Sequence, residues 1–302
     1  MGARAAAFSM RCAAGAEASR FHAFVLHREL TRAGGAGGYP DFMKSTGQML
    51  RGRFAAGLAA VLAFACLAAI RPASAQTAAT PRPVVIELFT SQGCSSCPPA
   101  DRLMEKIARQ PGVFVLSLPV DLWDYVGWKD TLAMPYHAQR QRQYAKGRGD
   151  NRVYTPQAII NGLAHVVGSD PAAIKTQAEA CYGRDGALSI PMRMELTPSG
   201  LKVEVGAAQG AAPKTANLWL VRVASQREVK IKRGENSGHT FTYVNVARGF
   251  QRIGEWSGAA TSFTVPGDQL VSPDSDGWML FLQAGASNRP GVILAAAKSS
   301  GL

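Results

Sequence analysis

Apolar and polar positions follow two different periods along this chain, and the change falls close to residue 186. Before it, the apolar runs Val84–Phe89 and Val113–Val120 predict two buried strands. The segment between these runs has a helical spacing of apolar residues: Ala100, Leu103, Met104 and Ile107. Strands joined through a helix form a βαβ unit, so we expect the two strands to be parallel.

The rest of this first half predicts one more helix-rich segment and a hairpin. Pro135 begins a helix that ends near Gly147, inside an insertion with the basic residues Arg140, Arg142, Lys146, Arg148 and Arg152. Asn161-Gly162 between apolar runs is a strong hairpin signal and predicts two antiparallel strands. Asp170-Pro171 then opens a last helix, which runs to about Cys181.

Beyond residue 186 the period becomes two, which is typical of half-buried strands. Leu188, Ile190, Met192 and Met194 alternate with polar residues or proline, and six or more further short runs follow with turn residues between most of them. We therefore predict an α/β domain of βαβ, helical insertion and ββα over residues 84–186. An all-β, sandwich-like domain is predicted over residues 187–302.

The N-terminal part has the pattern of a secretory signal. Lys44, Arg51 and Arg53 precede an uncharged run over residues 54–70, and Ala73-Ser74-Ala75 forms a cleavage-type site. We expect residues 43–75 to be the signal peptide, residues 1–42 a mis-start or disordered extension, and residues 76–83 a linker. The alternative is an N-terminal membrane anchor, although the run is at the lower limit for a span. We therefore expect the protein to be periplasmic or secreted.

The net charge changes once that segment is removed. Without residues 1–75, Lys and Arg fall from 33 to 24 and Asp and Glu from 21 to 18, so the net charge falls from +12 to +6. A small surplus spread over a long chain does not indicate nucleic-acid binding, which needs a concentrated basic patch. No other stretch of the sequence is apolar for long enough to cross a bilayer, so no stable span is expected after cleavage.

The cysteines indicate redox chemistry. Of the five, Cys12 and Cys66 lie in the part that would be removed, which leaves Cys94, Cys97 and Cys181. Three is an odd number for an oxidising compartment, and a closely spaced pair with one left over fits a redox site better than a structural framework.

The position of the pair supports this interpretation. Cys94 and Cys97 come at the start of the predicted helix, where unpaired backbone N–H groups and the helix dipole stabilise a thiolate. The pKa of Cys94 should therefore fall below the ordinary value of about 8.5. We expect Cys94 to attack and Cys97 to resolve, with no cofactor. Asp101, in the first helical turn, opposes the thiolate.

The order of these elements resembles the thioredoxin fold, in which a cis-proline faces the cysteine pair. Thr155-Pro156 stands at the matching place, and the resemblance implies that Thr155 offers backbone hydrogen bonds to a bound partner. More narrowly, the chain resembles a bacterial secreted family of unknown function, DUF 1223. That resemblance rests on residues 87–101, Val120–Asp124, Val153–Gln157 and Arg233-Gly234-Glu235-Asn236. Ser95-Ser96 between the cysteines, and the insertion after Asp121, depart from thioredoxin and argue against a general reductase.

Together these observations predict a thiol–disulfide oxidoreductase whose partners are client protein thiols or disulfides and a second redox protein. We expect Tyr154, Thr155, Pro156 and Trp123 to form its substrate-binding surface. Asp121, at the same sheet edge, is either a proton relay for Cys97 or a loop cap. Two other functions stay open: a non-catalytic binding module with a structural disulfide, and a copper or zinc protein. In the metal protein, His137, His165 and Cys181 would join the pair as ligands.

Overall fold

The computed structural model of the protein describes residues 82–210, 212–286 and 288–302. The predicted extension, signal peptide and nearly all of the linker lie outside these residues. The helices are α1 (Pro98–Ile107), α2 (Pro135–Arg148), α3 (Pro171–Cys181) and α4 (Gly267–Leu270), with 3₁₀ turns at Asp121–Val126 and Arg184–Gly186. The strands are β1 (Val84–Thr90), β2 (Val113–Pro119), β3 (Gln157–Ile160), β4 (Ala164–Val167), β5 (Met192–Thr197), β6 (Gly200–Val205), β7 (Ala216–Lys230), β8 (Thr240–Trp256), β9 (Thr261–Pro266), β10 (Gly277–Ala286) and β11 (Arg289–Lys298).

The first half has the predicted βαβ and hairpin arrangement. β1 pairs in parallel with β2 over its whole length and antiparallel with β3, which pairs with β4 across the Asn161-Gly162 turn. Both positions of this turn have positive φ, which glycine and asparagine tolerate best. Pro98, Pro135 and Pro171 each begin a helix, where a missing N–H costs nothing.

The second half is not an independent sandwich, so this part of the predicted fold needs correction. β7, β8, β10 and β11 continue the sheet of the first half, in the order β11-β10-β7-β8-β2-β1-β3-β4. β5, β6 and β9 form a separate three-stranded sheet. The large sheet therefore crosses the boundary predicted at residues 186 and 187. A period of two identifies a strand, but it does not say which strand pairs with it.

The connection between the two halves is short. β8 joins β2 through a single parallel bridge, Ser117 to Val246. Two buried side chains reinforce it: Ser117 Oγ donates to the Val244 carbonyl at 2.7 Å, and Asn245 Nδ2 donates to the Val115 carbonyl at 3.0 Å. Side chains thus supply hydrogen bonds where the ladder provides only one bridge.

Each face of the large sheet is covered by different elements. Val85 and Phe89 of β1 pack with Tyr144 of α2 and with Phe281 of β10 in one apolar cluster. The alternate residues of β1 pack against α1 and α3 in a second cluster. The small sheet covers β7, β10 and β11 in a third. Because side chains alternate along a strand, α2 lies on one face, and α1, α3 and the small sheet lie on the other.

Within the described residues, no helix is both long and apolar enough to cross a membrane.

Candidate functional site: the cysteine loop

The cysteines lie between the end of β1 and the start of α1, where a buried strand becomes a helix. Cys94 and Cys97 form a disulfide with Cα atoms 5.4 Å apart. Cys97 is the N-cap of α1, and its carbonyl oxygen accepts hydrogen bonds from the N–H groups of Ala100 and Asp101. The positive end of the helix dipole thus points at the sulfurs and would stabilise a thiolate formed there.

Both cysteines are almost completely buried. Cys94 is 3% exposed and Cys97 0%, whereas Ser95 and Ser96 between them are exposed. The Ser96 hydroxyl is 3.4 Å from Cys94 Sγ, and it must be the donor because a disulfide sulfur has no hydrogen. Of the two cysteines, Cys94 is the slightly more exposed.

A loop distant in sequence holds the cysteine loop in place. Asn236 lies between β7 and β8, and its side-chain amide donates to the carbonyl oxygens of Gln92 and Cys94, at 2.9 Å each. All of these groups are buried. The Arg233-Gly234-Glu235-Asn236 segment, which alone indicates a turn, therefore brings a clamp to the cysteines from 142 residues away.

A second clamp comes from the segment after β2. Asp130, which is buried, accepts hydrogen bonds from the backbone N–H groups of Gln92, Leu132 and Ala133. Burial raises the pKa of Asp130 to about 6, against the lowering effect of these N–H groups. Trp128 Nε1 also donates to the Gln92 side chain at 2.8 Å. Gln92, two residues before Cys94, is thus held from both sides.

Thr155 and Pro156 lie at the same edge. The bond between them is cis, as the resemblance to thioredoxin implies. Trp123 connects them to the cysteine loop: its Nε1 donates to Thr155 Oγ1 at 2.8 Å, and its Cβ would lie 3.0 Å from any Cβ placed on Gly93. A Cβ on Gly168 would meet both Pro156 and Ala100, the latter in the first turn of α1. The proline therefore packs close to the helix that begins at the cysteines.

Comparison with known proteins decides the family. A family profile described as "Protein of unknown function (DUF1223)" matches residues 85–283, which is more than half of the chain. The chain belongs to the DUF1223 family. The resemblance to the DUF1223 family, drawn from the sequence, is confirmed.

Two individual proteins are similar to this DUF1223 chain. A protein of known crystal structure from Agrobacterium tumefaciens matches with a TM-score of 0.64 and 33% identity, over 72% of this chain and 94% of that one. A probable thioredoxin of Archaeoglobus fulgidus is 42% identical over 38 residues, or 13% of this chain. The match spans 42% of that curated relative's length.

One acid of the site was not predicted as a functional group. Asp101 follows Cys97 by one helical turn, is buried, and its two carboxyl oxygens have no hydrogen-bond partner within the part of the chain that the structure describes. Burial raises the pKa of Asp101 to about 8, with Asp130 adding to the rise and the Thr90 hydroxyl opposing it. At neutral pH this carboxyl therefore holds a proton.

The sequence contained a signal for this position. Cys97, Asp101, Met104 and Ala108 follow the spacing of one helix stripe, and all four are buried. A carboxyl on the apolar stripe of a helix, in register with a cysteine, marks an acid whose charge is disfavoured.

Asp121 and Tyr154 occupy other positions. Asp121, the predicted relay, is an exposed residue that begins the 3₁₀ turn after β2. Tyr154 points its hydroxyl at His165 Nδ1, at 2.8 Å, and His165 Nε2 lies 3.1 Å from Asp150. The Tyr154 side chain is thus engaged in a Tyr–His–Asp chain, and its role at the substrate surface stays a prediction.

The residues of the metal alternative are not brought together. His137 Nδ1 bonds to the Pro119 carbonyl, and burial lowers the pKa of this histidine to about 4. His165 is held as just described, and Cys181 is buried at the end of α3. Across the described ranges, no three His, Cys, Asp or Glu side chains are grouped in a way that could hold a metal ion.

Proposed function

We propose that this DUF1223 protein is a thiol–disulfide oxidoreductase of the periplasm or the secreted fraction. The observation that carries the proposal is the disulfide at the N-terminus of α1, where departure of a thiolate is electrostatically favoured. The pattern of a signal peptide over residues 43–75 supports an oxidising compartment. The short match to a probable thioredoxin is consistent with a redox role.

The exchange begins at the more accessible sulfur. A thiolate of a client dithiol attacks Cys94 Sγ, the Cys94–Cys97 bond breaks, and the Cys97 sulfur leaves with the electron pair. The second client thiolate then attacks the client sulfur of this mixed disulfide and releases Cys94. The client is oxidised by two electrons and the pair is reduced by two. The reverse sequence reduces a client disulfide.

Asp101 supplies the proton that this step needs. With a pKa of about 8 it is protonated at neutral pH, and Cys97 and Asp101 share one face of α1. As the Cys97 thiolate forms, the Asp101 carboxyl protonates it, and in the reverse direction the carboxylate takes the proton back. The proton transfer thus moves the negative charge from the Cys97 sulfur to the Asp101 carboxylate.

The client would bind along the edge that surrounds Cys94. Trp123 and Thr155 lie there, joined by their hydrogen bond, and Leu122 and Tyr125 in the same 3₁₀ turn are exposed. Tyr125 is 79% exposed, and an aromatic side chain in this position supplies contact area for an extended segment of a client protein.

The test is a trapping experiment. Removal of the resolving thiol in Cys97→Ser leaves reduced Cys94 able to form a mixed disulfide that cannot be resolved. We expect this variant to accumulate disulfide-linked client proteins in the periplasm, and Cys94→Ser, the matched control, to accumulate none. If both variants accumulate equal amounts of disulfide-linked client proteins, the proposed roles of Cys94 as attacking and Cys97 as resolving residue are wrong.

The burial of both sulfurs favours a second candidate, a binding module stapled by a permanent disulfide. The two functions differ in the rate of reduction. A permanent staple resists dithiothreitol in the folded protein, whereas an exchanging pair is reduced without unfolding.

A further inference from the structure

The small sheet ends in a strand, β5, whose outer edge is unpaired. The strands of this sheet lie in the order β5-β6-β9, so within the described part of the chain β5 has a neighbouring strand on one side only. It pairs with β6 in one continuous register, from Met192 opposite Val205 to Thr197 opposite Gly200. An edge strand presents a row of backbone N–H and C=O groups that can pair with another chain.

The other sheet edges are shorter, partly covered or more polar. β4 has only four residues. Part of the β11 edge is covered, because the N–H groups of Leu188 and Ile190 donate to the carbonyl oxygens of Ile293 and Leu294. β9 exposes hydroxyl side chains and ends in a proline. β5 contains no proline and no bulge, which are two of the features by which proteins protect an edge from pairing.

β5 also exposes apolar side chains. Residues directly opposite each other in an antiparallel pair share a face of the sheet. Met194 and Leu196 lie opposite Val203 and Leu201, which are buried in the apolar cluster between the small and the large sheet. Leu196 is nevertheless 73% exposed and Met194 37%. The apolar face of β5 thus extends beyond the area that the large sheet covers, and a strand placed beside β5 would bury it.

The backbone groups of the apolar residues point to the unpaired edge. Gly206 N–H donates to the carbonyl of Pro191, the residue before β5, at 2.9 Å, so Pro191 faces β6. In an antiparallel ladder the N–H and C=O of one residue point to the same side, and successive residues alternate. The N–H and C=O groups of Met192, Met194 and Leu196 are therefore directed away from β6 and are available to a further strand.

The sequence of β5 is complementary to itself. If a second copy of β5 lies antiparallel with Met194 opposite Met194, Met192 lies opposite Leu196 and Arg193 lies opposite Glu195. Each of these two contacts occurs twice, because the arrangement has twofold symmetry. Apolar side chains then meet on one face and opposite charges on the other, which stabilises such a pair. A shift of the twofold axis by one residue places two arginines or two glutamates opposite each other, so charge selects this register.

We propose that two copies of this chain form a dimer through antiparallel pairing of their β5 strands, with Met194 on the twofold axis. The two small sheets then become one continuous sheet in the order β9-β6-β5-β5-β6-β9. The contact consists of one short strand from each copy, which is small for a permanent dimer, so we expect a micromolar Kd. β5 has no part in the cysteine loop, and the dimer does not depend on the redox function proposed above.

Sedimentation equilibrium of the purified chain, with its disulfide intact, measures the association. We expect a monomer–dimer equilibrium at micromolar concentrations. Arg193→Glu and Glu195→Arg each place like charges opposite each other at both symmetric contacts. Each should therefore weaken the dimer by at least about tenfold, which corresponds to about 1.4 kcal/mol.

A mixture of the two variants tests the register itself. In a dimer of one Arg193→Glu chain with one Glu195→Arg chain, both contacts again join opposite charges, so the mixture should associate about as tightly as the parent. Within one chain, these two positions also lie opposite Glu204 and Lys202 of β6. Urea denaturation of each variant alone therefore checks that it is folded, and a misfolded variant would not be rescued by mixing.

Matched controls carry the same changes of charge at exposed positions away from β5. Arg109→Glu, just after α1, and Glu179→Arg, on α3, should leave the Kd of the dimer unchanged. The double variant Cys94→Ser, Cys97→Ser should dimerise as the parent chain does, so a failure of the redox proposal would not affect this result.

Three results would overturn the proposal. One is a chain that stays monomeric at high micromolar concentration, which would leave the β5 edge to an extended segment of another protein. The second is a dimer whose Kd is unchanged in both Arg193→Glu and Glu195→Arg, since such a dimer uses another surface. The third is a mixture of these variants that associates no more tightly than either variant alone.

Discussion

The buried acid behind Cys97 leads to an unusual prediction: Asp101→Asn should make the protein more stable and less active. Asp101 has a folded-state pKa of about 8 against an ordinary value of 3.8. Between these two pH values the unfolded chain loses the Asp101 proton and the folded chain keeps it. The free energy of unfolding therefore falls as pH rises through this window.

The size of the effect follows from the same numbers. One unit of pKa difference corresponds to about 1.4 kcal/mol, so keeping the proton at pH 7 costs the folded state about 4 kcal/mol. An asparagine side chain has nearly the same shape as the protonated acid and no such proton to keep. The variant should therefore gain stability up to about this amount at pH 7, and less at pH 5.

Urea denaturation at several pH values measures the change. Above pH 7, where Asp130 with its pKa of about 6 is already ionised, the parent chain should lose about 1.4 kcal/mol per pH unit until pH 8, and Asp101→Asn should lack this slope. Asp121→Asn, at the exposed acid that the sequence suggested as the relay, should be indistinguishable from the parent.

Activity should change in the opposite direction. Because an amide cannot protonate the Cys97 thiolate, disulfide exchange with a small dithiol should slow about a hundredfold at pH 7 in Asp101→Asn. A variant that keeps the parent's pH slope, or one that exchanges disulfides at the parent's rate, would refute the reasoning about this carboxyl.

Three further changes, one of them with a matched control, test the packing of the cysteine loop and of the large sheet. Asn236→Ala should cost about 1–3 kcal/mol in urea denaturation, because it leaves the buried Gln92 carbonyl unpaired and removes one of the two hydrogen bonds that the Cys94 carbonyl accepts. It should also speed reduction by dithiothreitol, and an unchanged rate would contradict the clamp. Gly168→Ala should cost about 1–3 kcal/mol through its clash with Leu88 and Pro156. In contrast, Gly147→Ala in α2, whose nearest neighbour would be 3.5 Å away, should add about 0.5–1 kcal/mol; equal effects would argue against the close packing of Gly168. Glu87→Gln should lower the unfolding free energy by about 3–5 kcal/mol because Arg140 loses its buried partner. A cost below about 1 kcal/mol would show that the pair adds little.

Local patterns were sufficient for the part of the fold that carries the cysteines. Three features have conformations that depend only on residues nearby in the sequence: the apolar run of β1, Pro98 at the helix start and Asn161-Gly162 at the hairpin. The parallel pairing of β1 and β2 followed from the helix between them. For these elements, the conformation predicted from neighbouring residues is the one that the structure has.

The pairing of strands that lie far apart in the sequence could not be predicted from it. β7 and β8, with 15 and 17 residues, are longer than the short runs that the sequence indicates, and the structure joins β8 to β2 through Ser117, Val246 and two side-chain hydrogen bonds. A strand pattern identifies a pleated segment with one apolar face, and many partners would satisfy it. Two sheets do pack against each other in the second half, but the larger one continues into the first half, so a separate sandwich domain is not confirmed.

The candidate site shows the same difference between local features, which could be predicted, and long-range contacts, which could not. Cys94, Cys97 and Thr155-Pro156 could be identified from spacing and resemblance, because each is a local motif. Asn236 could not, since its contact with the cysteine loop depends on where a hairpin loop folds in space. Asp101 lies between these cases: its helical register with Cys97 was visible, but its burial depended on the strands that cover α1.

The reduction potential of the Cys94–Cys97 pair tests the central claim most directly. Equilibration of the folded protein with glutathione, followed by quantitative alkylation of the free thiols, gives this value. If the helix and Asp101 favour the reduced pair as proposed, the potential should lie above about −300 mV, among exchanging couples. A potential well below that value would mean that the disulfide is a permanent staple, and it would contradict the account.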